Sequence, residues 1–336
     1  MLKLTLMRLI IGIMVVLIES VLLALGDIED RAEGKFRIRN VPPEPPTFTL
    51  YEKDRRNVTT NMIPQVEFAL RIDAQDLNSL DEIQEIIVYI YYGGSDTDAE
   101  PSTDDPKTQA TYKWVKGVGW ELVGPKNSTW GINNSASVGP INTTSTSGTW
   151  WLHFIPGKVA TETIENTYWI IKVVVIDKWN TSNSSKQANY TMAWYGEIQA
   201  LDESFDFGNV SLGEENDEID IPADHNIDVK TISNGYHCIL AKTDERWTCG
   251  NNSVILHTIN DKPGDGEIML KHSGYSIVRL SNTVKPYYEI ILGLEYLEQT
   301  DEEGNIYEIY LWLSVGKGIK AGTYSGRYYI MISNVF

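Results

Sequence analysis

Along most of this 336-residue chain, apolar and polar residues alternate with a period of two, and no sustained period of 3.6 is present. The stretch AGTYSGRYYIMISNVF, residues 321–336, is an example. Tyr324, Gly326, Tyr328, Ile330 and Ile332 fall on one side, and Thr323, Ser325, Arg327, Tyr329 and Met331 on the other. Successive strand residues point to opposite faces, so the pattern predicts a half-buried β-strand. The same reading predicts strands at 47–52, 65–72, 85–92, 110–115, 120–123, 150–155, 168–176 and 190–198. The run YWIIKVVVID is β-branched and apolar on both faces except at Lys172, which predicts a central strand. One helical turn is expected at 76–83.

From about residue 200 a second set of strands begins, expected at 206–212, 226–232, 236–241, 246–249, 254–257, 267–271, 276–280, 287–297, 305–315 and 323–333. PYYEIILGLEYLEQ and NIYEIYLWLSV flank TDEEG, which predicts a long hairpin with Gly304 free to take positive φ. Many short strands punctuated by turns indicate an all-β chain of two consecutive antiparallel β-sandwiches. The expected division is 1–26, 27–46, 47–199 and 200–336. Within the second part, a possible strand at 35–39 precedes the proline cluster VPPEPP, which stiffens the chain into an extended spacer.

The first 26 residues carry Lys3 and Arg8, then an apolar run broken by Glu19, then Ala24 and Gly26. That composition is expected of a secretory signal peptide. The alternative, a retained anchor, is short for a span and places Glu19 within it. The formal charge is −18, and a chain so acidic repels nucleic-acid phosphates and anionic membranes at long range. Membrane contact is therefore expected only through an uncleaved N-terminal segment.

Secretion changes how the remaining residues are read. Cys238 and Cys249 flank a polar turn, and pairing Ala241 with Arg246 sets them opposite each other, so a disulfide stapling one hairpin is expected. Nine asparagines head Asn-x-Ser/Thr: Asn57, Asn127, Asn133, Asn142, Asn180, Asn183, Asn189, Asn209 and Asn251. Chance would give about three, so glycosylated loops are expected. Asp96, Asp98 and Glu100 alternate as calcium ligands do, without matching the twelve-residue calcium loop. No other cofactor is indicated. The five histidines form no metal or hydrolase motif, and no carboxylate pair stands out, so no enzymatic activity is expected. Trp150, Trp151, Trp169, Trp179 and Trp194 offer either a sugar-stacking platform or sheet packing.

Four stretches carry a family resemblance: VEFALRIDAQDLNSLDEIQEIIVYIYY, ATYKWVKGVGWELVGPKNSTW, SGTWWLHFIPGKVA and YWIIKVVVIDKW. Residues 45–198 resemble the immunoglobulin-like modules of archaeal secreted and surface-layer-associated proteins. The closing KAGTYSGRYYIMI is similar to the last strand of surface and fibre-forming sandwich domains. The resemblance implies a cell-surface structural or adhesive protein, such as a subunit of an extracellular filament or surface layer. Its partners would be other surface proteins, copies of itself, or glycans. A carbohydrate-binding protein is the alternative, and an extracellular hydrolase comes third.

Overall fold

The computed structural model describes residues 7–15, 33–102, 104–141, 144–212, 221–259, 261–274 and 281–335. The chain divides into two compact units, residues 1–40 and 41–336. In the first, residues 7–15 are helical, and the rest of the expected signal segment lies outside the described residues. Among the described residues, no helix is long and apolar enough to cross a membrane. Residues 33–40 form no strand, against the expectation for 35–39.

The second unit is all-β and holds two sandwiches. Ten strands build the first: β1 (Thr47–Glu52), β2 (Asn61–Met62), β3 (Phe68–Gln75), β4 (Ile83–Gly94), β5 (Gln109–Val115), β6 (Gly119–Gly124), β7 (Gly131–Ile132), β8 (Ser147–Ile155), β9 (Tyr168–Asp177) and β10 (Ser182–Met192). One sheet runs β1-β3-β8-β7 and the facing sheet β2-β10-β9-β4-β5-β6. Apart from the short parallel pairing of β2 with β10, this is the strand order of an immunoglobulin variable domain. β9 is central, between β10 and β4, as its double-sided apolar pattern requires. Trp169, Ile171, Val173 and Val175 are fully buried against Trp150, Leu152 and Phe154 of β8. The expected helical turn is a 3-10 turn at Leu80–Glu82, capped by the Ser79 side chain, which accepts from the Asp81 amide.

The second sandwich contains β11 (Gly196–Ala200), β12 (Ile221–Pro222), β13 (Ile227–Ser233), β14 (His237–Thr243), β15 (Arg246–Cys249), β16 (Asn252–Leu256), β17 (Glu267–Ser273), β18 (Asn282–Thr283), β19 (Glu289–Ile290), β20 (Asn305–Val315) and β21 (Tyr328–Asn334). The larger sheet runs β11-β13-β20-β17-β16-β15, and the smaller β19-β14-β21. β16 and β17 pair in parallel. Phe205, Phe207 and Tyr328 belong to both apolar clusters between the sheets. The closing strand lies beside β14, with Tyr328 and Ile330 packed inward and Met331 exposed. Gly326 precedes it because the Trp247 indole covers that backbone: a Cβ there would sit 2.3 Å from the ring.

Several sequence expectations fail here for identifiable reasons. β14 is buried on one face and half-buried on the other and takes β21 and β19 as neighbours, while β15 pairs with β16. Residues 242–245 are therefore a corner between sheets, and Cys238 and Cys249 are free thiols instead of a disulfide. The hairpin of 287–297 with 305–315 is likewise absent. Ile291 and Leu294, three residues apart, are both buried beneath β14, where their backbone bonds Ile239. Gly304 does take positive φ, at 78°, but its turn leads β20 onto β13. Residues 206–212 form no strand, and the strand expected at 276–280 lies outside the described residues.

The two sandwiches are joined through one buried side chain. Asn234 is fully buried, and its Nδ2 donates to the carbonyls of Ala160 (2.8 Å) and Ala193 (2.9 Å). Its Oδ1 accepts from the Tyr195 amide at 2.7 Å, and its carbonyl accepts from the Glu162 amide at 2.9 Å. Around it, Lys158 meets Glu197 at 2.8 Å, Thr129 donates to Glu302, and Lys107 meets Asp301 at 2.7 Å. Replacing Asn234 with Ala strands three buried backbone groups. The expected loss is about 3 kcal/mol in urea unfolding, with the single transition splitting into two.

Candidate functional site

Four of the five histidines are buried or half-buried and hydrogen-bonded. His153 is buried, with Nδ1 at 2.9 Å from Glu67 and Nε2 accepting from Arg55 Nε at 2.9 Å. An acceptor Nε2 means that the ring is neutral and protonated on Nδ1. Burial and the nearby Arg55 and Lys53 charges lower its pKa, although Glu67 opposes them. Burial pushes Glu67 up, yet hydrogen bonds from Lys53, His153 and Asn133 outweigh it and leave the carboxyl below its usual range. His257 sits between Asp261 and Glu267; burial lowers its pKa, but the two carboxylates prevail and raise it. His237 lies against Thr231, and burial lowers its pKa.

The calcium candidates do not share a ligand centre. Glu100 meets Lys172 and Lys186, Asp96 Oδ1 accepts from the Asp98 amide, and Asp98 gives its carbonyl to Lys186. Among the described residues, no three His, Cys, Asp or Glu side chains are grouped to hold a metal ion. The tryptophans form no platform either. Trp150 and Trp169 are fully buried, Trp151 lies under the Arg55 guanidinium, and of the five only Trp179 is strongly exposed, at 62%. Asn57, Asn127, Asn180, Asn189, Asn209 and Asn251 are exposed. Asn133 and Asn183 are half-buried, and Asn142 lies outside the described residues. The Asn133 amide is engaged at both ends: Nδ2 donates to Glu67, and Oδ1 accepts from Ser135 and the Ala136 amide.

Two features stand out instead. The first is a cleft of about 430 Å³ in the second sandwich, at the seam where β21 and β11 diverge. Near the junction the seam is closed, with Gly196 against Ile332; towards Ala200 and Tyr328 it opens. Phe205, Ile227 and Trp247 line it with Tyr324 and Tyr329, and Asp202, Glu203 and Arg327 add charge. β21 is an outer strand of its sheet. Ser325 and Arg327 direct their backbone groups to Thr248 and Asp244. Antiparallel strands bond through alternate residues, so Tyr328 and Ile330 turn theirs outward. Tyr328 anchors the strand, its hydroxyl 2.7 Å from His272 Nδ1.

The second is residues 33–40, which precede the spacer and form neither helix nor strand. Phe36 and Ile38 are 90% and 74% exposed, alternating with exposed Lys35 and Arg37. The spacer itself is held: Pro43 and Pro46 are buried, and the Val41 amide donates to Asn78 Oδ1 at 2.8 Å. The alternation at 35–39 was legible in the sequence. The cleft was not, because it needs 200–205 and 324–330 brought together. Its one local signal is a glycine among the aromatics of TYSGRYY, which marks a close approach.

No family model matches the chain, and no curated protein matches it. Solved structures give distant similarities only. The major pilin subunit BcpA of Bacillus cereus matches at 10% identity and a TM-score of 0.23, covering 82% of this chain, which spans 57% of that one. A DUF4466 family protein from Parabacteroides merdae matches at 10% and 0.24, over 82% of this chain and all of its own. A structure titled for the chaperone–tip adhesin complex of CFA/I fimbriae matches at 9% and 0.23, covering 85% and 83%. At these scores the matches carry no argument, and the fold stands on the chain's own strand pairing.

Burial holds the His272 pKa down to about 4. A histidine whose folded pKa lies below its unfolded value keeps its full stability above about 6.5 and loses it as pH falls towards the folded value. Urea unfolding is expected to show a loss of about 3 kcal/mol between pH 6.5 and pH 4 from this residue. His272→Gln, which keeps a partner for Tyr328 and does not titrate, should show a correspondingly flatter pH dependence.

Proposed function

We propose that the protein is a secreted, glycosylated structural or adhesive subunit of the cell surface, built into a fibre or surface layer and acting by contact through sheet edges. The observation that carries this reading is the exposure of Phe36 and Ile38 at alternate positions of a segment that has no regular secondary structure of its own. Large apolar side chains presented with strand spacing are suited to covering by another chain. The proline spacer that follows them is anchored to the first sandwich at Val41. An acidic surface and glycans on exposed loops would keep the subunit soluble until it assembles.

The test compares the full chain with a variant lacking residues 27–40, by light scattering and electron microscopy after secretion. Multimers or fibres are expected from the full chain, and monomers with unchanged circular dichroism from the variant. Identical size distributions would sink the proposal.

Glycans are expected at the exposed acceptors, Asn127, Asn180 and Asn251 among them, and not at Asn133, whose amide is engaged with Glu67 and residues 135–136. Peptide mapping by mass spectrometry of protein from its native source reads this directly. A fully occupied Asn133 would contradict it.

A further inference from the structure

We infer that residues 35–39 of one copy add as a strand to the outer edge of β21 in a second copy, seating Phe36 and Ile38 in the cleft between that edge and residues 200–205. The inference rests on the assembly reading above and names its contact.

Among the described residues, β21 is an edge poorly protected against pairing. Natural edges are blunted by charge, proline, shortness or cover. β7 and β2 have two residues each. β1 is overlain by its own hairpin, through Tyr51–Val58 and the Thr59 amide on the Leu50 carbonyl. β15 is closed by Ser325, and β6 carries Glu121. β21 reads YYIMISN, seven residues with neither charge nor proline. Beside it lies the cleft, with Phe205, Ile227 and Trp247 in its lining. A strand added there would bond the outward groups of Tyr328 and Ile330 and place alternate side chains in the cleft, the geometry of β-strand addition.

Charge also fits. Asp202 and Glu203 stand on the wall opposite β21, Glu203 exposed; with Phe36 and Ile38 in the cleft, alternation turns Lys35 and Arg37 to its open side, where the exposed Glu203 is the carboxylate they can meet. Arg327 opposes this in part, with Asp244 beside it, taking the Arg327 amide at 2.9 Å.

Reach selects a second copy. Val41 is held at Asn78, beside the turn that leads into β4. The second sandwich is clamped at the other end of the first, where Lys107, Thr129 and Ala160 meet Asp301, Glu302 and Asn234. The twelve residues of β4 alone span about 40 Å between those ends. Residues 35–40 extend to about 20 Å at most, so the same chain's cleft is out of range. A donor on the first sandwich and an acceptor on the second make a head-to-tail contact, which propagates as a fibre unless the rotation closes a ring.

The test places the photocrosslinker p-benzoylphenylalanine at position 36 of the full chain and mixes isotopically light and heavy copies. Mixed-isotope crosslinks to residues 200–205 or 324–330 are expected. Mixed crosslinks to another edge would overturn the acceptor while leaving the assembly reading intact. Crosslinks confined to one copy would overturn the second-copy contact. Failure of the full chain to assemble at all would remove the reading beneath it. Independently, Glu203→Lys should weaken assembly about tenfold at low salt, and Lys35→Glu with Arg37→Glu in the same chain should restore it. Loss without rescue would show that the charges do not meet.

Discussion

The second unit depends on a buried amide. Asn234, itself fully buried, supplies two donors and an acceptor to backbone groups of the first sandwich and the linker that are buried or half-buried. An unpaired buried peptide group costs about 1–3 kcal/mol, so the junction is far more stable with this side chain than with any apolar one of its size. Two sandwiches linked by a short connection would otherwise turn relative to each other. Here they are fixed, and the anchored spacer and the cleft are held at set positions on one body.

That rigidity was hidden in the sequence, whereas the strands were not. Alternation reports which faces are wet, and it found β1, β4, β5, β8, β9, β13 and β20 closely. It does not report which strand pairs with which. The cysteine hairpin failed for that reason: 236–249 looks like two strands around a turn, but β14 takes β21 and β19 as its neighbours, while Trp247 is drawn into a different cluster. The segment 287–297 failed differently. Its apolar residues fill the core from an irregular path, and composition does not separate that from a strand. Asn234 has no local signature, since an asparagine before a glycine reads as a turn.

A contact through residues 35–39 would be finely balanced. Ordering five residues of backbone costs about 5–10 kcal/mol. Burying Phe36 and Ile38 contributes about 4–6 kcal/mol, and four or five ladder bonds about 1 kcal/mol each. These terms nearly cancel, so the strand on its own would hold weakly. Two features shift the balance. The proline spacer, already held through Pro43, Pro46 and Val41, leaves fewer conformations to be lost. The locked junction then holds the two sandwiches of each copy in one geometry, so that faces of neighbouring sandwiches can add contacts that a flexible pair of domains would not hold in register.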